Sequence, residues 1–343
     1  MLQSPKDLKI IFIGTSEFGA IILEKLAKSS YRPFLVITAP DKPVGRHQVL
    51  TPPPVKTAAE KHKIAVLQPQ KIENCKLEIE NLNPELILVA SYGQIIPKSV
   101  LDIPRKGCLN VHPSLLPRYR GASPIQTAIA NGDEKTGVSI ILMDEKMDHG
   151  PILAKRELEI PNSKPQVPNP DKSRILDHNR DKSKIKNPKI TYKQLHDKLA
   201  EMAADLLIET IPGWIKDKIK PEVQDESKAI YTKILKKEDG KIDWKKSAEE
   251  IERQIRAFSD WPGTHTKIPN LKSKILKILE AEVLSAGDDK RIGEVFLAEN
   301  EKLVVRAGQN CLILQKLQLE GKKPVSGKDF LRGHKEIIGS ALE

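Results

Sequence analysis

The sequence lacks any hydrophobic stretch long enough to cross a membrane. A spanning helix takes roughly 18–20 consecutive apolar residues, and no run in the 343-residue chain approaches that length. The opening segment, MLQSPKDLKIIFIG, also lacks the cationic region and long apolar region of a secretion signal. We therefore expect a cytoplasmic protein that does not associate with membranes.

Cysteine is scarce as well. The chain has three cysteines, Cys75, Cys108 and Cys311, and no two of them form a CxxC pair. An odd number of widely spaced cysteines indicates neither a disulfide framework nor a cysteine zinc site. The low cysteine content fits a reducing compartment, and we expect no metal.

The first glycine-containing loop lacks both common phosphate-binding patterns. Residues 14–19, GTSEFG, follow an apolar run and precede a helical pattern. Their glycine spacing is not GxGxxG, and they do not match GxxxxGK[ST]. We interpret this loop as a tight strand-to-helix turn and not as a dinucleotide or ATP site.

Positive charge, in contrast, is in excess. Lysine and arginine number 57 against 46 acidic residues, so the formal net charge is +11. A basic protein attracts polyanions over long range, which makes nucleic acid a candidate partner. A lysine-rich proteome would explain the same charge, and composition alone does not decide between the two.

The first half of the chain alternates strand-like and helix-like patterns. Apolar runs of strand length occur at 9–14, 34–38, 64–67, 85–91, 108–111, 136–143 and 151–160. Helical spacing begins near residues 19, 55 and 71, and the proline- and glycine-rich residues 39–54 are interpreted as a loop. The alternation predicts an α/β fold with a Rossmann-like, doubly wound, mostly parallel sheet.

Residues 162–190 differ from their surroundings, with eight basic side chains, three acidic ones and few large apolar ones. Such a segment cannot bury enough apolar surface to offset the entropy lost on ordering. We interpret it as a flexible basic insertion. It is either a solvated loop, which we favour, or a segment that touches RNA.

The last part of the chain predicts a separate α+β unit. A helix is expected at 191–211, ended or bent by Pro212, and 217–230 is interpreted as a linker. Ser247 and Glu250 match a helix capping box. Four short strand-like runs follow, at 274–283, 292–298, 302–306 and 311–318. Their spacing predicts a small OB-like β-barrel.

Polar residues suited to catalysis lie in GCLNVHPSLLPRYRGASPIQ, residues 107–126. Asn110 and His112 are two residues apart, so on a strand their side chains point to the same side. Open α/β sheets bind ligands at the carboxyl ends of their strands. Asp148, in MDHGP, lies in a later loop that ends a strand, where its carboxylate could pair with the histidine.

These three side chains suit acyl transfer to an amine. An asparagine amide can donate to an oxyanion, a histidine can accept a proton, and a carboxylate can orient that histidine. The amine attacks directly, so no serine or cysteine nucleophile is needed. Each residue taken singly is more often a turn or core residue, and only their combination supports this hypothesis.

The motifs NVHPSLLPRYRGASPIQ and MDHGP resemble those of the folate-dependent formyltransferases. In that family the Asn, His and Asp of these motifs form the catalytic trio, which the resemblance places at Asn110, His112 and Asp148. It also implies 10-formyltetrahydrofolate as the formyl donor. The stretch that the resemblance places in contact with the folate comprises Ser114, Leu115, Leu116 and Pro117.

Other segments are similar to the family members that act on methionyl-tRNA. Residues 38–56 resemble the loop with which those members reach the tRNA acceptor stem, and residues 241–263 resemble the opening of their C-terminal domain. The resemblance therefore implies initiator methionyl-tRNA as the partner, and we expect a monomer. The loop side chains expected to contact tRNA are Lys42, Arg46 and His47.

The resemblance also implies a domain organisation. We expect a formyltransferase catalytic domain at 1–212, a linker at 213–230 and a tRNA-binding β-barrel domain at 231–343. One alternative is a formyltransferase that acts on a small amine, such as an amino-sugar nucleotide or glycinamide ribonucleotide. Another is a non-catalytic RNA-binding module on the same fold. The similarity at 38–56 and the C-terminal domain argue against the glycinamide ribonucleotide enzyme, whereas the amino-sugar enzyme remains the runner-up. The complete trio argues against the RNA-binding module.

Overall fold

The computed structural model describes residues 8–45, 47–161, 189–269, 274–285, 289–298 and 301–343. Arg46 and all but the last two residues of the basic insertion lie outside the described residues. The chain divides into two compact units. The first comprises residues 1–125, 136–158 and 195–234, and the second comprises residues 126–135, 159–194 and 235–343. The domain limits predicted from the sequence stay a prediction.

The part of the chain up to residue 232 is built from eleven strands and six helices in the described ranges. The strands are β1 (Ile10–Gly14), β2 (Leu35–Ile37), β3 (Lys42–Val44), β4 (Val49–Thr51), β5 (Ala65–Leu67), β6 (Leu86–Ala90), β7 (Cys108–His112), β8 (Arg120–Gly121), β9 (Lys135–Leu142), β10 (Ile152–Glu159) and β11 (Tyr231–Thr232). The helices are α1 (Glu17–Leu26), α2 (Pro54–Lys61), α3 (Lys76–Leu82), α4 (Lys98–Leu101), α5 (Pro124–Asn131) and α6 (Tyr192–Ile215).

Seven of these strands form one sheet in the order β10-β9-β7-β6-β1-β2-β5. Strands β7, β6, β1, β2 and β5 pair in parallel, and β9 is antiparallel to β7. Every residue of β1 and β6 is buried, as in parallel strands covered on both faces. The Rossmann-like α/β class is confirmed. The winding direction reverses between β1 and β6, which is where such sheets bind ligands.

Two details differ from the expected element pattern. Residues 39–54, interpreted as a loop, contain the hairpin β3–β4, in which Pro43 pairs with Leu50. Helix α6 continues through Pro212 to Ile215. Its last turn is held because Ile211 is fully buried and the Trp214 indole donates to the carbonyl of Lys106 at 2.8 Å.

The part of the second unit from residue 235 onward contains, in its described ranges, an antiparallel sheet and two α-helices. Its elements are α7 (Ala248–Ala257), β12 (His265–Ile268), β13 (Lys274–Leu284), β14 (Val295–Ala298), β15 (Lys302–Arg306), β16 (Cys311–Leu319), β17 (Val325–Ser326) and α8 (Gly327–Gly333). The sheet order is β12-β13-β16-β15-β14, with β17 paired to β16. Buried side chains such as Trp244, Leu276 and Leu317 form its core. Among the described residues, no helix is both long and apolar enough to cross a bilayer.

The last five residues join the two outer strands of this sheet. Lys267 of β12 exchanges both backbone hydrogen bonds with Glu343, at 2.9 and 3.1 Å. Val295 of β14 accepts from the amide of Gly339 and donates to the carbonyl of Ser340, at 2.7 and 2.9 Å. The tail thus satisfies the exposed backbone groups of both edges, and the predicted C-terminal β-barrel is confirmed.

Helix α7 begins with the capping box predicted from the sequence. The Ser247 hydroxyl accepts from the Glu250 amide at 3.2 Å, and the Glu250 carboxylate accepts from the Ser247 amide at 2.9 Å. The Ser247 side-chain hydrogen bond is the main cause that lowers the pKa of Glu250, followed by the bond from the Ser247 amide. The box therefore satisfies two amides at the start of the helix.

Ser247→Ala should lower the free energy of unfolding by about 1 kcal/mol, because an amide of α7 loses its acceptor. Urea unfolding followed by circular dichroism measures the change. The lowered pKa of Glu250 means that its contribution is present above the ordinary value of 4.5 and is lost as the pH falls through the lower folded value. The difference should therefore shrink in acid. Ser285→Ala, at an exposed serine of the same unit, is the control, and an equal loss there would contradict the assignment.

Candidate active site

Strand β7 presents two of the expected catalytic residues. Asn110 pairs with Val89 of β6 and Ile141 of β9, and His112 pairs with Ser139 of β9. The intervening Val111 is buried in the sheet. Asn110 and His112 therefore project to the opposite face from Val111, at the carboxyl end of β7. Asn110 is half-buried and His112 is 4% exposed.

The His112 ring is hydrogen-bonded through Nε2 and faces a carboxylate through Nδ1. Its Nε2 lies 2.8 Å from the carbonyl oxygen of Tyr119. A carbonyl only accepts hydrogen bonds, so Nε2 must carry a proton and donate it. Nδ1 lies 3.5 Å from Oδ1 of Asp148. In neutral His112 the lone pair is therefore on Nδ1, and a proton added there meets a carboxylate.

Asp148 contacts both other members of the trio. Its Oδ1 accepts a hydrogen bond from Nδ2 of Asn110 at 3.2 Å and also faces His112. Its Oδ2 accepts from the amide of Gly121 at 2.8 Å. Gly121 has φ +105°, and a Cβ there would lie 2.5 Å from the carbonyl of Thr232. Only glycine brings this amide to the carboxylate, because a side chain would collide with β11.

The stretch 114–117 is held by internal bonds. The Ser114 hydroxyl donates to the carbonyl of Arg118 at 2.6 Å, and the Ser114 carbonyl accepts from the Ser139 hydroxyl at 2.8 Å. Leu116 is buried against Ile141 and Ile152. Leu115 is half-buried, as is Pro117. A rigid loop therefore follows His112, and its role in binding stays a prediction.

A cavity of about 760 Å³ lies beside the start of β7, within the range of small-molecule sites. Its apolar wall comprises Leu101, Pro104, Cys108, Leu142 and Met143. Asp144 and His149 also line it, and both belong to the loop that carries Asp148. Burial raises the pKa of the Cys108 thiol to about 12, so this thiol stays uncharged. The remaining side chains of the lining are charged and comprise Lys98, Asp102, Arg105, Glu145 and Lys146.

Sequence reasoning did not single out this cavity. Its lining comes from separate elements whose side chains are ordinary core residues in the sequence. It also assigned no role to Arg120 or Gln224. Arg120 is fully buried, and Gln224 is 5% exposed, although the sequence predicts a linker for its polar segment. An RYRG motif in a loop gives no signal that its second arginine is buried.

Two of the expected tRNA-binding residues belong to the hairpin β3–β4. Lys42 is on β3 and His47 is in the turn of the hairpin β3–β4, and both are exposed. Arg46 lies outside the described residues. The base of the hairpin is pinned by Asp41, which accepts from Lys56 at 2.8 Å and from Gln68 at 2.7 Å. The hydrogen bond from Gln68, followed by that from Lys56, lowers the pKa of Asp41.

The described residues contain no group of three or more His, Cys, Asp or Glu side chains arranged to hold a metal ion. The arrangement around Asp148 is instead one of hydrogen-bond donors and a proton acceptor. It can stabilise a developing oxyanion through an amide and accept a proton on an imidazole.

Gly150→Ala should displace the loop that carries Asp148. A Cβ at Gly150 would lie 1.8 Å from the carbonyl oxygen of Leu142, and this backbone has no room to give. We expect a loss of roughly 1–3 kcal/mol of stability and faster hydrogen exchange of the Gly121 amide, whose acceptor is Asp148. Thermal unfolding and amide exchange measure both. Gly333→Ala, where a Cβ meets nothing within 4 Å, is the control. Unchanged exchange at Gly121 would contradict this prediction.

Solved structures with the same fold include HypX from Aquifex aeolicus in complex with tetrahydrofolic acid. Its TM-score is 0.58 at 14% identity, covering 96% of this chain and 47% of that one. An N-formyltransferase from Helicobacter canadensis, solved with folinic acid and dTDP-3-aminofucose, also has a TM-score of 0.58. It is 19% identical and covers 90% of this chain and 99% of that one.

Sequence comparison gives a closer relationship. The family described as Formyl transferase matches residues 8–180, and Formyl transferase, C-terminal domain, matches residues 234–335. Methionyl-tRNA formyltransferase of Geobacter sulfurreducens is 38% identical, covering 98% of this chain and 96% of that protein. The enzyme of the same name from Bacillus velezensis is 40% identical, covering 98% and 99%. This chain therefore belongs to the methionyl-tRNA formyltransferase branch of the formyltransferase family.

Proposed function

We propose that this protein transfers the formyl group of 10-formyltetrahydrofolate to the α-amino group of methionine on initiator tRNA. The observation that carries the proposal is the shared carboxylate: Oδ1 of Asp148 lies 3.2 Å from Nδ2 of Asn110 and 3.5 Å from Nδ1 of His112. Relatives of nearly equal length named methionyl-tRNA formyltransferase support the choice of substrates. We propose that the enzyme acts as a monomer in the cytoplasm.

The chemistry requires one proton to leave the amine and one to reach the folate nitrogen. The amine lone pair attacks the formyl carbon, and the carbonyl electrons move to oxygen. The intermediate then collapses, and the bond between carbon and the folate nitrogen breaks. The protein must therefore stabilise a transient oxyanion and move a proton.

Each member of the trio has a group suited to one of these tasks. The Asn110 amide has two N–H bonds, one of which is directed at Asp148; the other can donate to the formyl oxygen. His112 accepts the amine proton at Nδ1, because Nε2 is already protonated and bonded to Tyr119. Asp148 orients the imidazole and stabilises the positive charge that forms on it.

We propose that the flat ring of the folate enters the cavity beside β7. Its apolar wall suits an aromatic ring, and its edge carries backbone and polar groups that suit ring nitrogens. Cys108 lines the cavity and lies two residues before Asn110 on the same face of β7. A ring held there would place its substituent towards the trio. Ser114–Pro117 would bound the other side of the cleft.

The basic hairpin and the C-terminal β-barrel are proposed to bind the tRNA. Lys42 and His47 are exposed on the hairpin with Arg46 between them in sequence, and cations of this kind contact phosphates. We propose that residues 1–212 form the catalytic domain, that 213–230 connect it, and that 231–343 form the tRNA-binding domain. The chain is related to an amino-sugar enzyme only at 19% identity, so that alternative has less support.

Formyl transfer should be assayed with charged initiator tRNA, elongator methionyl-tRNA and an amino-sugar nucleotide in parallel. We expect activity on the initiator tRNA, with kcat/KM lowered about 100-fold or more by Asn110→Ala, His112→Ala or Asp148→Asn. Asp217→Asn is the control, because Asp217 is also an aspartate with positive φ but its side chain is 81% exposed. Full activity of the trio variants would refute their roles. Preference for the sugar nucleotide would refute the proposed substrate.

Met143→Ala tests the proposed folate cavity. Loss of this half-buried wall residue should raise the KM for 10-formyltetrahydrofolate roughly 10-fold, equivalent to about 1.4 kcal/mol of apolar contact. The KM for methionyl-tRNA should change little, because Met143 does not face the basic hairpin in our proposal. Steady-state kinetics with each substrate varied measures the two effects. Leu77→Ala, at a leucine that is 68% exposed, is the control. An equal rise in both KM values would count against this assignment.

A further inference from the structure

We infer that Gln224 is a positioning residue that holds Asp148 in its working geometry, with Arg120 holding Gln224 and Glu226 holding Arg120. These three residues are called the Gln224 clamp. The inference rests on the proposed function, because it assigns the Gln224 clamp to the same site. Arg120 lies within the motif NVHPSLLPRYRGASPIQ, whereas Gln224 and Glu226 lie outside both motifs and outside the folate loop.

The side-chain amide of Gln224 makes every hydrogen bond available to it. Its Nε2 donates to the carbonyl oxygens of Asp148 and Gly150, both at 2.8 Å. Its Oε1 accepts from Nε and Nη2 of Arg120 at 3.1 and 2.9 Å. All four hydrogen-bonding positions of the amide are therefore occupied, and the side chain is 5% exposed. Such an amide has one orientation available to it.

Arg120 anchors the other end of the Gln224 clamp. Its guanidinium is fully buried and donates to both carboxylate oxygens of Glu226, at 3.0 and 2.7 Å, and to the Tyr231 hydroxyl at 3.0 Å. A buried charge is stable only when it is paired and hydrogen-bonded. The next residue, Gly121, donates its amide to Oδ2 of Asp148. Arg120 therefore supports two contacts of Asp148. Its bonds hold Gln224, which binds the Asp148 carbonyl, and its neighbour Gly121 binds the Asp148 carboxylate.

Asp148 needs this support because its backbone is in an uncommon conformation. Its φ is +50°, in the left-handed region that is unfavourable for residues with a Cβ. Gln224 binds the carbonyls on both sides of His149, so it holds the backbone at Asp148 and Gly150 together. Without those bonds, the loop can relax towards ordinary φ values. The carboxylate would then move away from Asn110 and His112.

The segment that carries Gln224 is itself held at both ends. Glu222 exchanges both backbone hydrogen bonds with Ile152 of β10, at 2.7 and 2.8 Å. Tyr231 and Thr232 pair in parallel with Arg120 and Gly121. Gln224 is therefore placed by the fold before any substrate arrives. Preorganisation of this kind keeps catalytic groups within the small tolerance that transfer reactions require.

Gln224→Met and Gln224→Glu test the inference in the full-length protein. Methionine keeps the unbranched shape and removes every hydrogen bond. Glutamate keeps the acceptor for Arg120 but has no N–H to donate to Asp148 and Gly150. Both should lower kcat for formyl transfer about 10- to 100-fold, the range found when a hydrogen-bond partner that orients a metal ligand is removed. The KM values should stay within about 2-fold, because substrate contacts are retained.

Val223→Ala is the matched control, since Val223 is the preceding residue and is 84% exposed. It should match the wild type. A wild type that transfers no formyl group would overturn the proposed function. An active wild type with equally active Gln224 variants would overturn the inference alone. If Gln224→Met does not fold, Gln224→Glu carries the comparison, because it keeps both hydrogen bonds from Arg120.

A double-mutant cycle separates positioning from general stability. In the Asp148→Asn background, Gln224→Glu should lower the single-turnover rate by less than about 2-fold, since the group that it positions has already been lost. Faster hydrogen exchange at the Gly121 amide should accompany Gln224→Glu in the otherwise wild-type chain. Rate losses that multiply in the double variant would show that Gln224 acts independently of Asp148 and would overturn the inference.

Discussion

The carboxylate of Asp148 connects the parts of this site. One oxygen meets the Asn110 amide and the His112 ring, and the other meets the Gly121 amide. Replacing either oxygen by a neutral group would leave a hydrogen-bond donor without an acceptor or would remove the negative charge that faces His112. These donors come from different stretches of the chain. The site therefore forms only when the fold brings β7, β8 and the loop before β10 together. The seven-stranded sheet places β7 through its pairing with β6 and β9, and β8 is placed by its pairing with β11.

Burial of charge explains why the segment around residues 222–232 packs where it does. Arg120 is fully enclosed, and its hydrogen bond to Glu226 is the main cause that raises its pKa, whereas the same bond lowers the pKa of Glu226. A guanidinium in that position without partners would be strongly destabilising. The partners Gln224, Glu226 and Tyr231 all come from this one segment. The segment therefore supplies the partners that the buried charge of Arg120 requires. The position of the segment also brings Gln224 within hydrogen-bond distance of the Asp148 loop.

The two units use different means to complete their folds. In the first unit, fully buried strands such as β1 and β6 are covered on both faces, so the chemistry is confined to the ends of strands and the loops that follow them. In the second unit, residues 339–343 bond to both outer strands of an antiparallel sheet. The first arrangement leaves a cavity beside β7, and the second covers backbone groups at the two outer strands of the C-terminal sheet.

The sequence alone determined the features that depend on local pattern. Apolar runs of strand length, the alternation with helices, the capping box of Ser247 and Glu250, and the same-side spacing of Asn110 and His112 all follow from period and residue type. It also placed Asp148 in the correct kind of loop. Only the tertiary structure decided which oxygen of Asp148 meets which donor, that Arg120 is buried, that Gln224 bonds to the Asp148 loop, and that a cavity borders β7. Those features depend on contacts between residues about 30 to 110 positions apart, and a local pattern does not encode which distant groups will meet when the sheet closes.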